Sequence, residues 1–179
     1  MLESQERERF ELCILPHLDA AFNLARWLLR DRQDAEDVAQ ESMLRAYRFF
    51  GTFRAGDGRA WLLQIVRNSC YDWLRKNRPA ELQDELHEES LVSKELSPED
   101  LALLNQDRGR LAEALQSLPA NFREFLVLRE LEGCSYKEIA AITSRPIGSV
   151  MSGLARAREQ LREALLTKEK VRKEVRRGM

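Results

Sequence analysis

Ser135-Tyr136-Lys137-Glu138-Ile139-Ala140-Ala141-Ile142-Thr143-Ser144-Arg145-Pro146-Ile147-Gly148-Ser149-Val150 decides the fold of this 179-residue chain. Ser135 and Glu138 stand in the S-x-x-E spacing, in which a hydroxyl and a carboxylate exchange hydrogen bonds with the free backbone amides of a helix start. That predicts a short helix over Tyr136 to Ile142, a turn at Thr143-Ser144-Arg145, and a second helix with Pro146 at its first position, where a fixed φ is an advantage. The second helix gathers Val150, Leu154, Ala157, Leu161 and Leu165 on one side. Its outward side carries Ser149, Met151, Ser152, Ala155 and Arg156, with Arg158 and Arg162 beyond. Small side chains mixed with arginine on the longer partner of a tight helix pair make a helix-turn-helix able to approach a DNA major groove.

Helical spacing continues on both sides of this motif. Leu111, Leu115 and Leu118 form a stripe closed by Pro119, and Phe122, Phe125, Leu126, Leu128, Arg129 and Leu131 belong to a further helix that Gly133 ends. Toward the N-terminus, Leu18, Ala21, Phe22, Ala25, Leu28 and Leu29 keep the same period until Arg30-Asp31-Arg32 interrupts it. Projected at about 100° per residue, the helix from Asp34 buries Ala35, Val38, Ala39, Ser42, Ala46 and Phe49. Its opposite side collects Asp34, Asp37, Gln40, Glu41 and Leu44, an acidic stripe with one apolar anchor, suited to a basic partner helix. After Gly51, two glycines and an aspartate within three residues predict a loop over Thr52 to Gly58, and a long helix then runs from about Arg59 to Asn77. One side of it is apolar: Leu62, Leu63, Val66, Cys70, Trp73 and Leu74. The other presents Gln64, Arg67, Asn68, Tyr71, Arg75 and Arg78. Guanidinium groups for phosphates, an amide for base edges and a ring for stacking are the kinds of side chain that hold DNA and unstacked bases.

Charge is segregated along the chain although the net value is only −1. Residues 51–78 hold six basic and two acidic side chains, net +4; residues 79–107 hold one and nine, net −8; residues 154–179 hold nine and four, net +5. The acidic block is polar and without sustained periodicity, apart from a short helix that Ser97-Pro98-Glu99-Asp100 would start before Leu101, Leu103 and Leu104. It is expected to be a linker over 79–107 between an N-terminal module, 1–78, and a C-terminal module, 108–179. Tethered between two basic blocks, it is also expected to compete with DNA for them. Eight Gly and five Pro are too few for a β-sandwich or barrel, so the expected fold is all-α, two small helical domains joined by an acidic linker.

Composition also removes most chemistry. Cys13, Cys70 and Cys134 are far apart and odd in number, and His17 and His87 are the only histidines, so no disulfide, metal site, cofactor or catalytic triad is expected. No apolar run approaches the roughly 18 residues of a membrane span, and the acidic N-terminus is unlike a signal peptide, which places the chain in the cytosol.

The motifs together resemble a known family. Glu36-Asp37-Val38-Ala39-Gln40-Glu41-Ser42-Met43-Leu44-Arg45-Ala46-Tyr47 is similar to the polymerase-docking helix of extracytoplasmic-function (group IV) sigma factors. Trp61-Leu62 with Ile65-Val66-Arg67-Asn68 resembles their melting and minus-ten segment. Leu128 to Ala140, Pro146 to Val150 and Arg156-Ala157-Arg158 resemble their minus-thirty-five module. The resemblance implies a subunit that joins core RNA polymerase and recognises promoter DNA, without enzymatic activity. It implies that region 2, a helical bundle, docks through Asp34, Asp37, Gln40, Glu41 and Leu44. It assigns the minus-ten element to Arg67, Asn68, Tyr71, Arg75 and Arg78. Region 4 would read the minus-thirty-five element through Tyr136, Lys137, Ser149, Met151, Ser152, Ala155, Arg156 and Arg158, and an anti-sigma factor would hold the protein inactive. Family members often carry Lys or Arg at the place of Met151 and Arg at the place of Gly153, so upstream recognition is expected to be weakened or shifted. The alternative is a sigma-like mimic that sequesters an anti-sigma factor without binding DNA; such decoys lose the DNA-reading residues, which Arg67, Asn68, Tyr71, Arg75 and Arg156 here retain. A free-standing repressor would leave the Asp34–Leu44 stripe unexplained.

Overall fold

The computed structural model describes residues 4–82 and 108–178, all of whose regular elements are helical. The short helix expected near Leu101 and the acidic block beyond Leu82 lie outside the described residues; within them, Glu81 of that block pairs with Arg78 at 3.6 Å and with Arg123 at 3.8 Å. In the N-terminal part, α1 spans Ser4–Cys13, α2 Leu18–Leu29, α3 Arg32–Phe49 and α4 Gly58–Asn77. In the C-terminal part, α5 spans Arg108–Ser117, α6 Ala120–Leu126, α7 Tyr136–Thr143 and α8 Ile147–Arg177.

Local chemistry sets the breaks. Arg30 adopts a left-handed φ of 64° that ends α2, and the Asp31 carboxylate accepts the Asp34 amide at 3.0 Å to start α3. Asp57 starts α4 in the same way, accepting the amides of Arg59 and Ala60 at 2.9 and 3.3 Å. A side chain at Gly58 would run into the backbone carbonyl of Cys13, so only glycine lets α4 begin against the end of α1. Arg9 donates to the carbonyls of Phe53 and Arg54, at 2.9 and 2.7 Å, and pins the loop before α4. Phe53 is thereby buried with Phe50, beside Phe10, Tyr47 and Trp61, in edge-on, tilted and stacked ring pairs 5.1–6.1 Å apart.

The predicted capping box is present: the Glu138 amide donates to Ser135 Oγ at 3.1 Å, and the Ser135 amide donates to Glu138 Oε2 at 2.6 Å. Ser144, at φ 54°, makes the turn. Pro146 sits one position earlier than expected, capping α8 rather than opening it. The expected single helix from Phe122 to Leu131 is instead α6 followed by a π-turn, Val127–Leu131, because the Glu132 amide reaches back five residues to the Val127 carbonyl at 3.0 Å.

The two halves share one hydrophobic cluster. Leu24, Ala25, Leu28, Val38, Leu62, Leu63, Val66 and Leu74 fill the N-terminal bundle, while Phe125, Leu128, Ile139, Ile142, Val150, Leu154 and Leu161 fill the C-terminal one. Helix α4 lies along α7, and α2 touches α6. Beyond Leu165 the long α8 is mostly exposed, with Lys168 reaching Glu113 of α5 at 2.9 Å.

Candidate polymerase and promoter interfaces

The acidic stripe of α3 stands on the surface. Asp37, Gln40, Glu41 and Leu44 are exposed, Leu44 to 59%, and Asp34 is half-buried. The opposite side is inward as the projection required, with Ala35, Val38, Ser42 and Ala46 buried; Ala39 is half-buried and Phe49 is exposed instead. Neighbouring arginines tether part of the stripe: Arg45 pairs with Glu41 at 2.7 Å and Arg78 with Asp34 at 3.6 Å. An exposed pair such as Arg45–Glu41 is worth about 0–1 kcal/mol, so Glu41 stays exchangeable with an incoming cationic partner.

The polar side of α4 is divided. Asn68 and Arg75 are exposed, and Arg75 pairs with Asp72 one turn back. Arg78 is half-buried, donates to the Leu29 carbonyl at 2.8 Å and lies over the Trp73 ring at 5.1 Å. Tyr71, expected to face outward, is only 6% exposed, and its hydroxyl donates to Glu124 Oε2 at 2.8 Å. The second oxygen of the same carboxylate accepts from Arg67 Nε, and the Arg67 guanidinium covers the Tyr71 ring at 4.0 Å. Burial, reinforced by the Glu124 charge, pushes the Tyr71 phenol well above its ordinary range. Burial opposes the charge of Arg67, but Glu124 more than offsets it and raises the pKa of the guanidinium. Further along α4, Gln64 Nε2 donates to Ser144 Oγ at 3.2 Å, and Arg59 donates to the Glu132 carbonyl at 2.9 Å and to Glu138 at 3.3 Å. A second contact joins α2: Asn23 Nδ2 donates to Glu132 Oε1 at 2.6 Å, and the fully buried Arg123 donates to the Leu28 carbonyl at 2.9 Å and the Leu118 carbonyl at 2.7 Å. Burial, with Arg30 adding repulsion, lowers the Arg123 pKa to about 10, so the group remains charged at neutral pH.

On α8 the expected reading face is partly right. Met151 is 45% exposed, and Ser149, Ser152 and Arg156 are half-buried, with Ser152 Oγ donating back to the Gly148 and Ser149 carbonyls. Lys137 is exposed, and Tyr136 is half-buried beneath the Arg129 guanidinium at 4.8 Å. Two residues expected on this face turn inward. Ala155 is 7% exposed, and Arg158 is 6% exposed and pairs with Glu130 at 3.1 Å, because both fall on the strip of α8 that meets the preceding helices. Gly153 is a packing residue. A Cβ there would stand 2.5 Å from Phe125 Cε2, so the glycine admits the ring of a buried phenylalanine where an arginine cannot fit.

Glu124, Arg123 and Arg59 are not among the expected site residues. The signal for the first two was a charged pair, Arg123-Glu124, set within the otherwise apolar run Phe122 to Leu128. Among the described residues, no group of His, Cys, Asp and Glu is placed to hold a metal ion, and no helix is long and apolar enough to cross a membrane.

A helix-turn-helix module joined to a bundle with an exposed acidic stripe defines a two-module, all-helical protein of the DNA-reading class. The Sigma-70 region 2 family matches residues 13–80, and the Sigma-70 region 4 family matches residues 108–161. The chain is 35% identical to the RNA polymerase sigma-H factor of Pseudomonas aeruginosa, covering 89% of this chain and 88% of that one. It is 38% identical to the ECF RNA polymerase sigma-E factor of Escherichia coli K12, covering 72% of each. Among solved structures it resembles the sigma factor RpoE of Bartonella quintana in complex with the anti-sigma factor NepR, with a TM-score of 0.68 and 29% identity over 88% of this chain and 97% of that one. It also resembles CnrH in complex with the cytosolic domain of CnrY, with a TM-score of 0.61 and 27% identity over 90% of each chain. The chain belongs to the sigma-70 family of RNA polymerase sigma factors. Its function is therefore that of a transcription initiation subunit acting with core polymerase at promoter DNA, not that of an enzyme.

Proposed function

We propose that this is an extracytoplasmic-function sigma factor of group IV, working in the cytoplasm. Residues 1–78 act as region 2, 79–107 as the acidic linker, and 108–179 as region 4 with a basic tail. The stripe Asp34, Asp37, Gln40, Glu41 and Leu44 docks core polymerase, charge pairing with a cationic helix while Leu44 supplies an apolar anchor. Arg67, Asn68, Tyr71, Arg75 and Arg78 serve the minus-ten element once its bases are unpaired. Tyr136, Lys137, Ser149, Met151, Ser152 and Arg156 serve the minus-thirty-five duplex, with Ala155 and Arg158 supporting the helix from its inner side. The similar RpoE of Bartonella quintana is held in a complex with the anti-sigma factor NepR, which supports an inhibitor of the same kind here.

One observation carries this reading: a single chain presents both an exposed acidic stripe with Leu44 and, on α8, the exposed Met151 beside Ser149, Ser152 and Arg156. A docking surface and a groove-reading surface on one chain are what a promoter-directing subunit requires, and a mimic would not need the second. The test is reconstitution with core polymerase on genomic DNA followed by start-site mapping. Start sites sharing two spaced sequence elements are expected. Core binding without any sequence-selective initiation would refute the reading.

A further inference from the structure

The contact between the two modules falls on the side of α4 assigned to the minus-ten element. Glu124 of α6 is fully buried, with one carboxylate oxygen on the Arg67 guanidinium and the other 2.8 Å from the Tyr71 hydroxyl. The Arg67 guanidinium in turn lies over the Tyr71 ring, 4.0 Å from its centre, so that face of the ring is already occupied. Around this centre, Glu138 and the Glu132 carbonyl take Arg59, and Ser144 takes Gln64. The basic helix α4 has been supplied with anions and acceptors from α6, α7 and the turns on both sides of α7. An anionic oxygen on a guanidinium, beside a covered aromatic ring, is also the contact set that a nucleic-acid strand makes with such a surface.

The other two faces are treated differently. Leu44 on α3 is 59% exposed, and Ile147 and Met151 on the outer side of α8 are 47% and 45% exposed. Two faces are open, and on the third Arg67 and Tyr71 are engaged while Asn68 and Arg75 stay exposed. A buried ion pair roughly breaks even against the cost of removing its charges from water, so the Arg67–Glu124 pair adds little net strength to the contact between the modules.

We propose that Glu124 is an intramolecular stand-in for DNA: the free protein can dock polymerase and read upstream duplex, but cannot hold unpaired minus-ten bases until the C-terminal module leaves α4. This rests on the minus-ten role proposed for Arg67 and Tyr71. It assigns to the folded module itself the masking that the sequence reading gave to the acidic block.

The test uses the full chain in a Cys13→Ser background, since Cys70 and Cys134 are buried. Glu124→Ala opens the contact, and Gln64→Cys with Ser144→Cys, joined by a short bismaleimide, clamps it shut. Affinity for a mixed-sequence single strand of about 12 nucleotides is read by fluorescence anisotropy. Glu124→Ala should tighten single-strand binding by about tenfold or more, as the competent fraction rises, and change duplex affinity by less than about twofold. The clamped form should lose single-strand binding and keep its affinity for core polymerase. Equal single-strand binding by wild type, Glu124→Ala and the clamped form would overturn the proposal. Introducing Glu124→Ala into the cysteine pair separates the two assumptions. A fall in crosslinking yield shows that the contact has opened, and unchanged yield would overturn the holding role of Glu124. If the contact opens but adding Arg67→Ala leaves single-strand affinity unaltered, the minus-ten assignment fails, and the stand-in fails with it.

Discussion

Replacing Gly153 sets two effects of opposite sign against each other. Glycine inside a helix costs about 1 kcal/mol relative to alanine, so on propensity alone Gly153→Ala should stabilise α8. Packing opposes this. The added Cβ would stand 2.5, 2.8 and 3.0 Å from Phe125 Cε2, Cζ and Cδ2, well inside the roughly 3.5 Å at which carbon atoms rest in contact. Phe125 is 1% exposed, its ring is rigid, and the Arg145 guanidinium lies 5.4 Å from its centre, so the ring has little room to retreat. Overpacking of this sort costs about 1–3 kcal/mol, and a clash with a confined ring belongs in the upper half of that range. The net expectation is a loss of about 1–2 kcal/mol, or roughly 2–8 °C in Tm for a chain of this size. Urea unfolding followed by far-UV circular dichroism measures the loss. Tryptophan fluorescence adds a second reading, because Trp27, Trp61 and Trp73 all lie in the N-terminal half. A coincident shift of both signals would show that the modules unfold together. Equal or higher stability of Gly153→Ala would refute the packing role. Gly153→Arg should lose more and bring no gain in upstream duplex affinity.

Asp37→Arg combined with Glu41→Arg should abolish core polymerase binding in a pull-down while moving stability by less than about 0.5 kcal/mol, since both residues are exposed. Arg156→Ala should weaken upstream duplex binding in a gel shift by about 1–3 kcal/mol if it makes a bidentate base contact. Tyr71→Phe removes the hydroxyl that serves Glu124, and should lower the urea stability of the free protein by about 1–3 kcal/mol. Ser135→Ala removes the cap of α7 and should cost about 1 kcal/mol, read by the same denaturation.

What the sequence disclosed follows from the range of the interactions. Helix starts at Asp31, Asp57 and Ser135 depend on neighbours two or three residues away, and so does the αL turn at Ser144; these were legible or nearly so. The inner stripes of α3 and α8 were legible because amphipathic period is local. Tyr71, Ala155 and Arg158 were misplaced for one shared reason. A helix packed on two sides has two inward strips, and polar or small residues on the second are indistinguishable in sequence from a solvated face. Arg67 and Tyr71 meet Glu124 across separations of 57 and 53 residues, which no periodicity encodes. The requirement for glycine at 153 is equally nonlocal, since only the position of Phe125 leaves no room for a side chain there.

The last carbonyls of α2 depend on other helices for their partners. Leu29 receives Arg78 from the end of α4, and Leu28 receives Arg123 from the opposite module. A helix end deprived of a cation and a hydrogen-bond donor loses about 0.3–2 kcal/mol in its final turn. Separation of the modules is therefore not a purely rigid movement, because it uncaps one end of a core helix of the N-terminal bundle. The backbone amides of Leu28, Leu29 and Arg30 should then exchange with deuterium faster than those of Asn23, Leu24 and Ala25 at the middle of the same helix. That difference makes the end of α2 a clock, read without any attached probe, for how often the protein opens.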